Sequence, residues 1–132
     1  MPARLPVGAG LGFRRELLAE LEAGVPAAVQ FFELAPENWA GMGGRSARQL
    51  RAFTERYPFV CHGLSLSVGG QRPLDTDLLR RTRAFMAEHG IGLYTEHLSW
   101  SSDDGQLYDL LPLPCTGEAV RWAAARIRQA QD

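Results

Sequence analysis

The stretch FVCHGLSLS, residues 59–67, decides the reading of the fold. Phe59-Val60-Cys61-His62 is a short apolar run that ends in an imidazole, and Pro58 stands immediately before it. A run of this length between turn signals reads as a buried strand. Upstream, Ser46 to Tyr57 reads as a helix with Leu50 and Phe53 on one face, and Pro58 ends it. Before that helix lies a second strand, Ala28 to Leu34, which passes into the polar segment Ala35-Pro36-Glu37-Asn38-Trp39 and a glycine-rich loop at residues 41–44. A first strand, Val7 to Phe13, is followed by a helix over Arg14 to Ala23, where Leu17, Leu18 and Leu21 recur at helical spacing and Gly24 supplies the stop. Downstream, a loop through Gly69–Pro73 leads to Asp75, a cap for a helix carrying Leu78, Leu79, Phe85 and Met86, with Gly90 past its end. The fourth strand, Ile91 to Thr95, ends at Glu96-His97, and a long loop through Ser101–Gly105 is expected next. Thr116 caps a last helix whose apolar side is read as Val120, Ala124 and Ile127.

Strand followed by helix, four times over, predicts a parallel α/β sheet joined by right-handed crossovers. Periodicity leaves two closures open, a doubly wound sheet or half of a TIM-type β/α barrel. The glycines at 8, 10 and 12 have the wrong spacing for a dinucleotide-binding loop, since Phe13 stands where that pattern needs its last glycine. Crowding at a strand end explains them more simply. With 132 residues, 45% hydrophobic and 22% charged, the chain reads as a single soluble domain over residues 1–132. It is well short of the ~250 residues of a complete barrel. A net charge of −1 gives no reason to expect nucleic acid or an anionic membrane as partner. All fourteen basic residues are Arg, which reads as coding bias. No apolar run approaches the ~20 residues that span a bilayer. The opening residues lack the long apolar stretch of a secretory signal, and Cys61 and Cys115 lie far apart; the expectation is a reduced, cytoplasmic chain without a disulfide.

The unusual polar residues gather where these strands end, which is where parallel β/α folds place their ligands. Strand two ends with Glu33 and then Glu37-Asn38; strand three ends with His62, then Ser65 and Ser67; strand four ends with Glu96-His97, then Ser99. A lone histidine at such a place is more often a hydrogen-bonded core residue than a ligand. Two at equivalent places on neighbouring strands bring the metal reading of His62 and His97 level with it. Glu33 and Glu96 read either as carboxylates paired with Arg or as partners that orient a ligating imidazole. His89, at a helix carboxyl end, is read as a surface histidine favoured by the helix dipole. No G-x-S-x-G elbow supports a nucleophilic serine. Cys61 and His62 are strand neighbours and point to opposite faces, so Cys61 is expected in the core and the two make no catalytic pair. Cys115, in a proline-rich loop, is assigned no role. A catalytic metal generally takes three protein ligands, and the third is left open by the residues alone.

Taken together, Glu33-Leu34-Ala35-Pro36-Glu37-Asn38-Trp39, Cys61-His62-Gly63-Leu64-Ser65-Leu66-Ser67, Thr95-Glu96-His97-Leu98-Ser99-Trp100-Ser101, the opening Gly8–Arg14 and the later Asp109–Pro114 closely resemble the DUF692 (UPF0276) family over nearly all of the chain. Its characterised members are multinuclear non-heme iron-dependent oxidative enzymes. The resemblance implies a (β/α)8 barrel with two or three iron ions at its carboxyl-terminal mouth. It implies oxidative remodelling, with O2, of cysteine residues in ribosomally made precursor peptides, and a small partner protein that presents the peptide. By matching motif position, His62 and His97 are iron ligands. Glu33, Glu37, Asn38 and Glu96 match other motif positions and, with Ser65 and Ser99, are expected to line the site or support its ligands.

Family members run to roughly twice this length, so the chain is expected to represent the amino-terminal half of such a barrel, with further ligands on later strands. Half a barrel leaves open strand edges, which makes self-association or pairing with another chain an expectation, and activity of the chain alone is doubtful. Two other readings use the same residues. One is a divalent-metal barrel enzyme of the isomerase or endonuclease kind. The other is an inactive or metal-binding half-barrel that pairs with another chain.

Overall fold

The computed structural model describes residues 6–102 and 105–132. The chain forms two compact units, one from the residues up to His62 with Thr82–Thr95, the other from Gly63–Arg81 with Glu96–Asp132.

The first unit is built on four strands, β1 (Ala9–Gly12), β2 (Val29–Leu34), β3 (Phe59–His62) and β4 (Tyr94–Thr95). Between β1 and β2 run a 3-10 turn (Arg15–Leu17) and α1 (Leu18–Ala23); α2 (Pro36–Trp39) and α3 (Gly44–Thr54) join β2 to β3, and α4 (Thr76–His89) leads into β4. All pairings are parallel and the sheet order is β1-β2-β3-β4. An order that follows the sequence without reversing, with right-handed crossovers, sends every helix to the same face. That is barrel-type winding, without the switch point of a doubly wound sheet, and it resolves the choice that periodicity leaves open. The barrel is not closed: among the described residues β1 and β4 each have one partner strand.

The register pairs Phe32 with Phe59, Leu34 with Cys61, Cys61 with Tyr94 and His62 with Thr95. Alternation along each strand then sorts the side chains. Leu11, Phe32, Leu34, Phe59 and Cys61 face the helices and share one core with Leu18, Leu21, Leu50, Phe53 and Phe85. Phe13 lies at its centre, with ring centroids 5.5, 5.0, 5.2 and 5.2 Å from Phe32, Phe53, Phe59 and Trp39. Such tilted and edge-on contacts stabilise beyond the area they bury. The opposite face carries Gly10, Gly12, Glu33, Val60, His62 and Thr95. Gly10 sits inside β1, and a β-carbon there would strike the Phe31 ring. Close approach within a strand therefore accounts for this glycine, and the nucleotide-loop reading lapses.

His89 differs from expectation. It is half-buried, its Nδ1 lies 3.1 Å from Thr54 Oγ1, and its ring centroid is 4.6 Å from that of Phe85. Burial lowers its pKa, with the Arg51 charge adding to the effect and Glu88 opposing it.

In the second unit Asp75 Oδ1 accepts from Leu78 N at 2.9 Å, the expected cap. The loop expected after His97 is instead an antiparallel hairpin, β5 (Ser99–Ser102) and β6 (Gln106–Pro112). Asp103 and Asp104 lie outside the described residues. The hairpin escapes sequence reading because its polarity is inverted: Ser99 and Ser101 are buried while Trp100 is exposed. Ser67, at φ 51°, explains the inversion. Its Oγ accepts from the backbone N–H of Ser101 at 3.0 Å and Ser102 at 3.1 Å and donates to Ser102 O at 3.1 Å, using the hydroxyl's full capacity.

The last helix, α5 (Gly117–Gln131), is capped as expected, with Thr116 Oγ1 accepting from Ala119 N at 3.2 Å. Its buried side is not Val120, Ala124 and Ile127 but Ala123 and Arg126; Val120 is 67% exposed and Ile127 39%. Arg126 donates from Nε to Val68 O at 2.7 Å, from Nη1 to Arg72 O at 2.8 Å and from Nη2 to Ser67 O at 3.3 Å. Trp122 Nε1 donates to Gly70 O at 3.1 Å. The carbonyls of the 67–72 loop need donors, and that demand decides which side of α5 turns inward. No helix among the described residues is long and apolar enough to cross a membrane.

Candidate metal-ligand residues at the strand ends

In the first unit, His62 ends β3 on the face opposite the core and is half-buried. Its Nδ1 lies 2.7 Å from Oγ1 of Thr95, its register partner at the end of β4. The same Oγ1 donates to Cys61 O at 3.3 Å. Cys61 itself is fully buried in the core, as strand alternation requires. Burial, with the Glu37 carboxylate adding, pushes its thiol up to about 12. A thiol held protonated in this way is neither a metal ligand nor a nucleophile at neutral pH.

Glu37 is carried by α2, a single helical turn with Pro36 in its first position. Buried Pro36 and Trp39 pin this turn beside the end of β2. Arg15 braces it from outside, donating from Nη2 to Asn38 O at 2.6 Å and lying 5.2 Å from the Trp39 ring. The Asn38 and Glu33 residues are exposed. Glu33 pairs with Val60, so it shares the sheet face of His62 but stands one row nearer the amino end.

In the second unit, Glu96 and His97 form their own arrangement. The Glu96 side chain is only 9% exposed. Its Oε1 accepts from His97 N at 2.8 Å and lies 3.3 Å from His97 Nδ1, while Oε2 accepts from Leu66 N at 3.2 Å. A carboxylate that grips the backbone on two sides and meets an imidazole Nδ1 is the usual device for orienting a metal-ligating histidine. Ser65 is half-buried and Ser99 buried; Ser99 O accepts from Gly69 N at 2.8 Å, a structural contact of the hairpin.

The donors fit an imidazole-ligated ion in kind. Glu96 meets His97 at Nδ1, and imidazole suits iron, zinc and their neighbours. Among the described residues, no three His, Cys, Asp or Glu side chains come together to hold a metal. The described residues thus include ligand-type side chains but do not bring together the three a catalytic metal generally takes. Thr95, the partner of His62 Nδ1, is a residue that sequence reasoning passes over. Its signal is the β3–β4 register, which no single strand reveals.

Comparison with known proteins bears on these residues. The family described as "RiPP precursor modification enzyme MbnB/TglH/ChrH" matches residues 8–132. A UPF0276 protein of Nitrosospira multiformis is 63% identical over 123 residues, covering 93% of this chain and 44% of the relative. One from Pseudomonas aeruginosa is 59% identical over 125 residues, covering 95% and 44%, and one from Shewanella amazonensis is 56% identical over 124, covering 94% and 45%. The chain spans somewhat under half the length of these relatives.

Proposed function

Because the chain belongs to the MbnB/TglH/ChrH family of RiPP precursor modification enzymes, we propose that it supplies the amino-terminal ligands of an iron-dependent enzyme that oxidatively modifies cysteine in a ribosomally made precursor peptide. In this reading residues 1–132 are the first half of a barrel, and His62 and His97 are two of its iron ligands. The observation that carries it is the pair of engaged Nδ1 atoms, His62 on Thr95 and His97 on Glu96, the second-contact pattern of ligating imidazoles. Bound iron would supply O2 activation and a soft site for a substrate thiolate. The chain's own contribution is positional. Glu96 holds His97 and the Leu66 backbone in one geometry, and the α2 turn holds Glu37 beside the strand end. Cys61, protonated and buried, does not compete with a substrate thiolate for the metal. The proposed partners are the cysteine-containing peptide and a small protein that presents it, in a reducing cytoplasmic setting that suits two free cysteines.

The test replaces the matching segment of the Nitrosospira multiformis relative with this chain and measures iron in the purified chimera. His62→Ala and His97→Ala are each expected to remove most of the metal, and the double variant little more. They are also expected to abolish O2 uptake with a cysteine-containing peptide. Unchanged iron in both single variants defeats the assignment, and zinc, manganese or magnesium without O2 uptake favours the divalent-metal isomerase or endonuclease reading.

A further inference from the structure

We infer that Thr95 is the positioning residue of His62, holding its imidazole as the Nδ1–H tautomer so that Nε2 carries the lone pair; the use of that lone pair rests on the metal-ligand reading above. Parallel pairing sets His62 and Thr95 side by side on the sheet face opposite the core. The 2.7 Å separation of Nδ1 from Oγ1 is a direct hydrogen bond, but it does not by itself say which atom donates.

The third atom decides. Oγ1 also lies 3.3 Å from Cys61 O, and a carbonyl oxygen only accepts. A threonine hydroxyl has one proton and two lone pairs. Spent on the Cys61 carbonyl, that proton leaves Oγ1 as an acceptor toward the ring, and His62 must then donate from Nδ1. Threonine suits the task, since branching at Cβ restricts χ1 and fixes where the hydroxyl points, whereas serine turns more freely and valine has no hydroxyl. A neutral hydroxyl also orients the ring without the charge that Glu96 brings to His97. The two imidazoles are thus held differently, His97 by a carboxylate and His62 by a hydroxyl dipole that aims it.

The experiment reads the proton directly. Long-range 1H–15N correlation on the metal-free 132-residue chain distinguishes Nδ1–H from Nε2–H imidazole, at a pH above the range in which histidine charges. His62→Gln, His89→Gln and His97→Gln variants assign the three rings. The expected result is a His62 ring protonated on Nδ1, a shift toward Nε2–H in Thr95→Val, and return of most of the Nδ1–H form in Thr95→Ser. A wild-type His62 ring protonated on Nε2, with the hydroxyl donating to Nδ1 instead, overturns the inference. So does a Thr95→Val spectrum in which the His62 tautomer is unchanged. Should Thr95→Val fail to fold, the wild-type and Thr95→Ser spectra decide alone.

In the chimera, Thr95→Val is expected to weaken iron affinity about 10- to 100-fold, with Thr95→Ser between it and wild type. The two ideas fail separately. An Nδ1–H ring whose removal by His62→Ala leaves iron unchanged sinks the ligand reading and spares the positioning. An Nε2–H ring in the wild-type chain sinks the positioning, whatever the iron content.

Discussion

At the scale of single residues, the two histidines outside the hairpin unit show how alike the side chains are in sequence and how unlike in setting. His62 stands on the sheet face opposite the core against a hydroxyl, whereas His89 is wedged between Thr54 and Phe85. A histidine whose pKa is lowered in the fold binds its proton less readily there than in the unfolded chain. Its contribution to stability is therefore present above its ordinary value of 6.5 and is lost as pH falls from there through the lower folded value. Unfolding midpoints of the 132-residue chain between about pH 5 and 8, where histidine changes charge, should fall toward acid. His89→Gln, which keeps a polar group near Thr54 but cannot take up the proton, should flatten that slope relative to wild type. Equal slopes in the two proteins would mean that burial at this position does not bias the proton.

At the scale of elements, α5 shows why an apolar stripe can mislead. Val120 and Ile127 satisfy helical spacing, yet the helix turns Arg126 inward because one guanidinium answers three loop carbonyls at once. Arg126→Ala removes the donor from buried Val68 O and from Arg72 O, while Ser67 O keeps the Gly70 N–H, and should cost roughly 1–3 kcal/mol in denaturant unfolding, the cost of about one unsatisfied buried group. Arg126→Lys should recover only part, since an ammonium cannot reproduce the planar fork. A loss below about 1 kcal/mol would show that water replaces the side chain easily. The same logic governs what was legible in the sequence. Phe59–His62 is read to its exact ends, and the Asp75 and Thr116 caps hold, because burial of an apolar run and satisfaction of a helix end are local demands. The β5–β6 hairpin and the α5 face are long-range demands, set by Ser67 and by the 67–72 carbonyls, and no window of neighbouring residues contains them. Thr95 belongs with these, for its meaning lies in a strand pairing 33 residues away.

At the scale of the whole molecule, the strand order is the decisive datum. Four parallel strands in sequence order build an arc whose helices share one face, and such an arc has two ends. β1 and β4 each pair with one strand only among the described residues, so each is an edge of this sheet. Full closure is what removes such edges from a barrel. The face that a closed barrel turns inward here carries Glu33, exposed, and His62, half-buried, so polarity on that face tempers association without cancelling it. We therefore expect the purified 132-residue chain to self-associate through its strand edges, with light-scattering mass rising with concentration. Ala9→Lys, an exposed change on β1, should shift the chain toward monomer, because a charged side chain on an edge strand opposes pairing. In the chimera with the Nitrosospira multiformis relative, where the remaining length of a family member is present, the Ala9→Lys change should leave the mass unaltered. A chain that stays monomeric at every concentration would show that these edges are already protected, and the open-arc description of the sheet would have to be given up.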